Sequence, residues 1–158
     1  MVPDEADVGR REPIIISSDH AGFALKEELK AFLRERGHPV EDLQQDYREG
    51  LDYPVVAQEA ARRVAASADT YGIVVCGTGI GASMAANKVP GVRAALLYSE
   101  EAARMARRHN DANVLALGGR TMSPEQARRY VEAFFSSRFE GGRHQRRVDY
   151  MEQMDGRV

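Results

Sequence analysis

GIVVCGTGIGASMAANK, residues 72–88, joins two kinds of pattern. Gly72 to Cys76 is a short apolar run rich in β-branched residues, the composition of a strand covered on both faces. Gly77, Gly79 and Gly81 punctuate a turn, and small residues continue as a helix to Lys88. A strand, a tight turn and a helix in that order begin a βαβ unit. The same order recurs on either side. Upstream, Ile14 to Ser17 is a strand, and Phe23, Leu25, Leu29, Phe32 and Leu33 recur at helical spacing until Gly37. Pro39 to Leu43 gives a short second strand, a polar loop QQDYREGLD (44–52) follows, and Tyr53-Pro54 opens a helix through Val64. Downstream, Val92 to Leu97 and Asn113 to Leu117 read as strands, Glu100 to Arg108 and Pro124 to Phe135 as helices. A polar helix from Arg143 to Met154 follows Gly141-Gly142. The expected fold is α/β: a Rossmann-like three-layer αβα sandwich around a five-stranded parallel sheet.

At 158 residues the chain suits one domain, expected over residues 13–158 and including the tail helix. Residues 1–12 (MVPDEADVGRRE) are charged and aperiodic, which predicts a flexible leader. The tail helix is too polar to bury much surface alone, so it is expected to pack on a partner subunit. A formal charge of −2 gives no global attraction to nucleic acid or to an anionic membrane. No apolar run approaches the roughly 18–20 residues that span a bilayer, and the start of the chain has no apolar signal core. A cytoplasmic setting is the expectation. One cysteine excludes an internal disulfide and a multi-cysteine metal site.

Ligands of parallel α/β sheets bind beyond the carboxyl ends of the strands, so the polar residues there carry the chemistry. Cys76 ends the third strand directly before the glycine turn. An apolar strand end favours a buried core thiol, whereas the positive end of a following helix favours a thiolate. A thiolate beside converging backbone amides suits proton transfer next to a carbonyl. The turn also satisfies G-x-G-x-x-A, with Glu100 about 20 residues on, so a dinucleotide-binding domain is a competing reading. Asp19-His20 ends the first strand and suits either a helix cap or a site. His109-Asn110-Asp111 follows a helix, which puts it at the opposite edge of its own sheet, where His109 also suits a helix C-terminus. Arg143 and Arg147, four apart, point one way on a helix and can grip a phosphate or simply face solvent; Arg120 is a possible third contact. No group has the spacing of a recognisable metal site, and none is expected.

SSDHAGFALKEEL (17–29), LDYP (51–54), CGTGIGASMAANK (76–88), RRHNDANVLALGGR (107–120) and FEGGRHQRRV (139–148), in this order, resemble type B ribose-5-phosphate isomerases and their relatives acting on galactose 6-phosphate or allose 6-phosphate. The resemblance runs from Pro13 to about Val148. It implies interconversion of ribose 5-phosphate and ribulose 5-phosphate through an enediolate, no metal or nucleotide cofactor, and a homodimer, or a dimer of dimers, with shared active sites. By position, Cys76 is implied as the base moving a proton between C1 and C2, assisted by Thr78. His109 is implied to open the furanose ring and Asp19 to hold the sugar. Gly77, Gly79 and Gly81 would hold the enediolate oxygen, Tyr53 and Asn110 would touch substrate, and His20, Arg120, Arg143 and Arg147 would bind phosphate. A second branch of that family uses a loop glutamate instead of the cysteine; Cys76 and Ala82 resemble the cysteine branch. The loop 44–52 departs from the pattern, and the sugar is open among pentose, hexose and tetrose phosphates. A sugar-phosphate sensor without catalysis is a third reading.

Overall fold

The computed structural model describes residues 12–155. The expected leader, apart from Glu12, and residues 156–158 lie outside the described residues. The strands are β1 (Ile14–Ser18), β2 (Val40–Asp42), β3 (Gly72–Cys76), β4 (Ala94–Leu96) and β5 (Val114–Gly118). All pair in parallel, in the order β2-β1-β3-β5-β4. The helices are α1 (Phe23–Glu35), α2 (Tyr53–Ala65), α3 (Ile80–Ala86), α4 (Glu100–Arg108), α5 (Pro124–Phe135) and α6 (Arg143–Glu152).

Period-two alternation on the strands sorts the core into two layers. Ile14, Ile16, Ile73, Val75, Leu115 and Leu117 pack with Leu25, Leu29 and Leu33 of α1 and with Ala127, Val131 and Phe134 of α5. Ile15, Val74, Cys76, Val114 and Ala116 face the other way, toward Ala57, Ala60 and Ala61 of α2 and Ala82, Ala85 and Ala86 of α3. Each fully buried leucine or valine contributes roughly 1.5–3 kcal/mol by leaving water. The expected αβα sandwich is present, and Cys76 belongs to the alanine-lined layer.

Several boundaries differ from the sequence pattern for local reasons. β2 starts at Val40 because Pro39 has no N–H to pair; its carbonyl accepts from the Ile14 N–H at 2.9 Å. α3 stops at Ala86 because the Asn87 side chain pairs with β4, donating to the Ala94 carbonyl (2.9 Å) and accepting from its N–H (2.7 Å). That amide covers part of an edge strand. β4 lacks Val92 and Arg93 because the Arg93 N–H turns to Asn113 Oδ1 at 2.8 Å.

The tail helix has partners in its own chain. Val148 and His144 are buried, Arg93 pairs with Glu152, and the Gly91 N–H donates to Asp155 at 2.6 Å. α6 therefore lies across the amino ends of β4 and β5.

Lys26 interrupts the apolar stripe of α1 and is fully buried. Its Nζ donates to Asp42 Oδ2 (2.6 Å), Glu27 Oε1 (2.7 Å) and the Gln44 carbonyl (2.7 Å), over the Phe23 ring. Lys30 reaches the same Asp42 oxygen at 2.8 Å. These bonds fasten α1 to the end of β2 and to the start of loop 44–52. Burial opposes ionisation of Asp42, but the bonds from Lys26, Lys30 and the Gln44 N–H outweigh it and hold the carboxyl below its ordinary range. A carboxylate with a lowered folded pKa adds stability above its unfolded pKa, near 3.9, and loses it as pH falls through the folded value. Asp42→Asn should cost about 3 kcal/mol at pH 7, where it leaves Lys26 undercompensated, with the deficit shrinking below about pH 4. Urea unfolding of both proteins from pH 7 to pH 3 measures this; a deficit independent of pH would contradict it.

Candidate active site

The chain leaves β1 for β2 on one side and enters β3 on the other, so the strand order reverses between β1 and β3. A crevice at the carboxyl ends of these strands is the ligand position of open α/β sheets. Its walls are the loops after β1 (Asp19 to Gly22), β3 (Gly77 to Gly79) and β5 (Gly118 to Arg120). Backbone meets backbone there. A Cβ on Gly22 would stand 2.3 Å from the Val75 carbonyl oxygen, one on Gly119 2.6 Å from the Ala21 oxygen, and one on Gly118 2.6 Å from the Thr78 carbonyl carbon. Asp19 N–H donates to Val75 (3.2 Å), Gly119 N–H to Cys76 (2.8 Å) and Arg120 N–H to Gly77 (2.9 Å), lacing the three loops together.

Cys76 is 4% exposed and accepts the Gly79 N–H on Sγ at 3.2 Å. Gly79 takes φ +81° to aim that N–H, and its missing Cβ leaves room for Leu96 and Leu117. Thr78 Oγ1 accepts from the Ile80 N–H at 3.2 Å and is open to solvent on the turn. Tyr53, at the start of α2, lays its ring on Gly81, where a Cβ would stand 2.4 Å from the ring. Asp19 does not cap α1: Gly22 is the N-cap, and Asp19 Oδ1 accepts from the Gly22 N–H at 2.9 Å, closing the loop instead. His20 Nδ1 and Ser18 Oγ are buried without a hydrogen-bond partner. Arg120 runs along Gly77, its Nη1 3.3 Å from where a Cβ would stand. Asp19, His20, Tyr53, Cys76, Gly77, Thr78, Gly79, Gly81 and Arg120 thus converge at one end of the sheet.

His109, Asn110, Arg143 and Arg147 gather at the other end. Cys76 pairs with Gly118, the last residue of β5, while His109 precedes the first, and the strand between them is about 13 Å long at 3.3 Å per residue. His109 caps the C-terminus of α4, as its position in the sequence suggests. Asp111, at φ +48°, pairs with Arg93 and Arg107 and fixes this turn. The His109 ring stacks on His144 at 4.1 Å between centroids and 10° between planes, with Nε2 3.6 Å from Glu140 Oε1. Burial, then the neighbouring His109 and Arg143, hold His144 below the ordinary imidazole pKa. Arg143 and Arg147 share the exposed face of α6; they and Arg120 form no salt bridge among the described residues. Ligand atoms of His109, Glu140 and His144 lie within 4.8 Å of one another. Parallel rings carry their lone pairs side by side, so meeting one zinc ion at about 2.0–2.1 Å would require both rings to turn.

The competing dinucleotide reading fails on strand order. Its acidic residue belongs at the end of a strand beside the glycine turn. Glu100 follows β4, which β5 separates from β3, and its side chain, 45% exposed, faces Arg104. The sequence pattern passed over Lys26, Asp42, Glu140 and His144. Lys26 was legible as a charge inside the Leu25–Leu29 stripe, and His144 as the residue one turn before Val148, the other buried position of α6.

A thiol held by a glycine turn in the switch-point crevice, with exposed Arg120 beside the turn, suits a parallel α/β protein that handles a small anionic metabolite. The chain belongs to the Ribose/Galactose Isomerase family, whose model matches residues 14–151. It is 43% identical over 144 residues to ribose-5-phosphate isomerase B of Escherichia coli, covering 91% of this chain and 97% of that one. Its structure resembles ribose-5-phosphate isomerase B of Clostridium thermocellum, with TM-score 0.88, 44% identity, and 90% and 97% of the two chains covered. It also resembles the Mycoplasma genitalium enzyme with bound ribulose-5-phosphate, with TM-score 0.89, 41% identity, and 94% and 99% covered.

Gly79→Ala should cost at least about 1–2 kcal/mol in urea unfolding, because a side chain is strained at φ +81° and would meet Leu96 and Leu117. Unchanged stability would contradict the packing described.

Proposed function

We propose that the chain is an aldose–ketose isomerase that interconverts ribose 5-phosphate and ribulose 5-phosphate. The observation that carries this reading is the Cys76 sulfur, held at 3.2 Å by the Gly79 N–H at the switch-point crevice. In the open-chain aldose, the C1 carbonyl acidifies the C2–H bond. Thiolate takes that proton, the bonding electrons form the C1=C2 double bond, and the charge moves to the C1 oxygen as an enediolate. Return of a proton to C1, with transfer of the O2 proton to O1, gives the ketose. C2 is oxidised as C1 is reduced, so the step is redox-neutral within the sugar and needs no nucleotide. The Gly77–Gly81 turn would hold the developing oxyanion with backbone amides other than those of Gly79 and Ile80, which already bond Cys76 Sγ and Thr78 Oγ1, and Thr78 stands beside them.

His109 opens the furanose ring, assisted by Asp19, while Tyr53 and Asn110 touch the sugar. His20, with its unpartnered buried Nδ1, joins Arg120, Arg143 and Arg147 on the phosphate. This reading requires a homodimer. Within one chain His109, Asn110 and the α6 arginines lie at the opposite sheet edge from Cys76, so a second copy supplies them. α6 then serves both copies: it is anchored on its own sheet and presents Arg143 and Arg147, together with exposed Tyr150 and Met151 and, just past its end, Met154, to the partner. No helix among the described residues is long and apolar enough to cross a membrane, and a cytoplasmic setting fits a charged sugar phosphate that cannot cross one unaided.

Incubation with ribose 5-phosphate and a chelator should yield ribulose 5-phosphate, and Cys76→Ala should lower kcat by about 10²–10⁴-fold with KM little changed. Absence of turnover on ribose 5-phosphate, allose 6-phosphate and galactose 6-phosphate would overturn the reading, as would wild-type kcat in the variant.

A further inference from the structure

We propose that His144 is a positioning residue for His109, holding its ring in the plane needed to open the sugar. The inference rests on the ring-opening role given to His109 above. Of the ten residues of α6, only His144 and Val148 are buried, so the helix spends one of its two anchoring positions on an imidazole. That imidazole lies face to face with His109 at 4.1 Å and 10°. An aliphatic side chain would fill the same space without defining a plane. His109 itself is about one-third exposed, and an isolated ring at that exposure samples several χ angles. Stacking confines it to one plane and leaves Nε2 directed at Glu140, which is in turn held by Arg108 at 3.0 Å.

The charges around the pair favour a neutral plate. α6 contributes Arg143 and Arg147, α4 contributes His109 and Arg108, and the connecting loop contributes Glu140. Burial, then His109 and Arg143, disfavour a proton on His144, and they outweigh the opposing Glu140. His144 therefore orients its neighbour without competing for the proton that ring opening moves. Tight orientation of an acid–base group matters because small misplacements cost large factors in rate.

The two directions of the reaction separate positioning from general damage. Ribose 5-phosphate is a furanose and must be opened. Ribulose 5-phosphate has its C5 oxygen esterified and cannot close a ring on its ketone, and the aldehyde it yields closes unaided in water. His144→Leu should lower kcat from ribose 5-phosphate roughly 10- to 100-fold while leaving the rate from ribulose 5-phosphate within about 3-fold of wild type. His144→Phe, which keeps a flat ring, should restore the aldose direction to within about 3-fold. If His144→Leu does not fold, His144→Gln replaces it with the same expected split. Equal losses in both directions, unchanged aldose turnover without the ring, or no rescue by phenylalanine would each overturn the proposal. A wild-type protein inactive on both sugars would instead overturn the isomerase reading.

Discussion

The site depends on backbone packing against backbone at the carboxyl edge of the sheet. The loops after β1, β3 and β5 approach until no Cβ fits at Gly22, Gly118 or Gly119, and their amides and carbonyls bond across the gaps. A turn with any freedom there would not hold the Gly79 N–H on the Cys76 sulfur. The alanine-rich layer under α2 and α3 serves the same end, because small side chains let α3 sit low enough for its first turn to face the crevice. Preorganisation of this kind places donors before charge develops and removes the cost of turning them during reaction.

Chain order sets a second constraint. α4 runs from the carboxyl end of β4 back to the amino end of β5, so a residue that ends α4 is delivered to the edge opposite Cys76. No loop rearrangement compatible with the buried β5 brings His109 across its own sheet. α6 follows it there, its start bonded to Arg108 through the Glu140 N–H and its end to Gly91 through Asp155. On the proposed reading, each copy offers a thiol half-site at one edge and a histidine–arginine half-site at the other, and two copies in closed symmetry would complete two sites.

Much of this was legible in residues 72–88, because a β-branched run, a glycine turn and a small-residue helix obey different periods. The limits of α4 and α5 also agree with the pattern, since Ser99 and Ser123 cap them with side-chain oxygens. Less legible were features made by contacts between distant segments. Asn87 and Asn113 replace strand pairs with side-chain amides, which shortens α3 and β4 in a way no local period announces. Lys26 reads as a surface charge until Asp42, sixteen residues away, is folded beside it. Asp19 has the composition of a helix cap and instead closes the loop that precedes the helix. The stacking of His144 on His109 joins the end of α4 to the start of α6, which β5 and α5 separate in the chain.

The central claim is that one site draws on two chains, and subunit mixing tests it directly. Cys76→Ala and His109→Asn proteins, each nearly inactive alone, are unfolded together, refolded and assayed with ribose 5-phosphate. In half of the randomly paired dimers one site regains both native residues, so the mixture should recover about a quarter of wild-type activity. Formation of mixed dimers with no recovered activity would place Cys76 and His109 in the same chain's site and contradict the account.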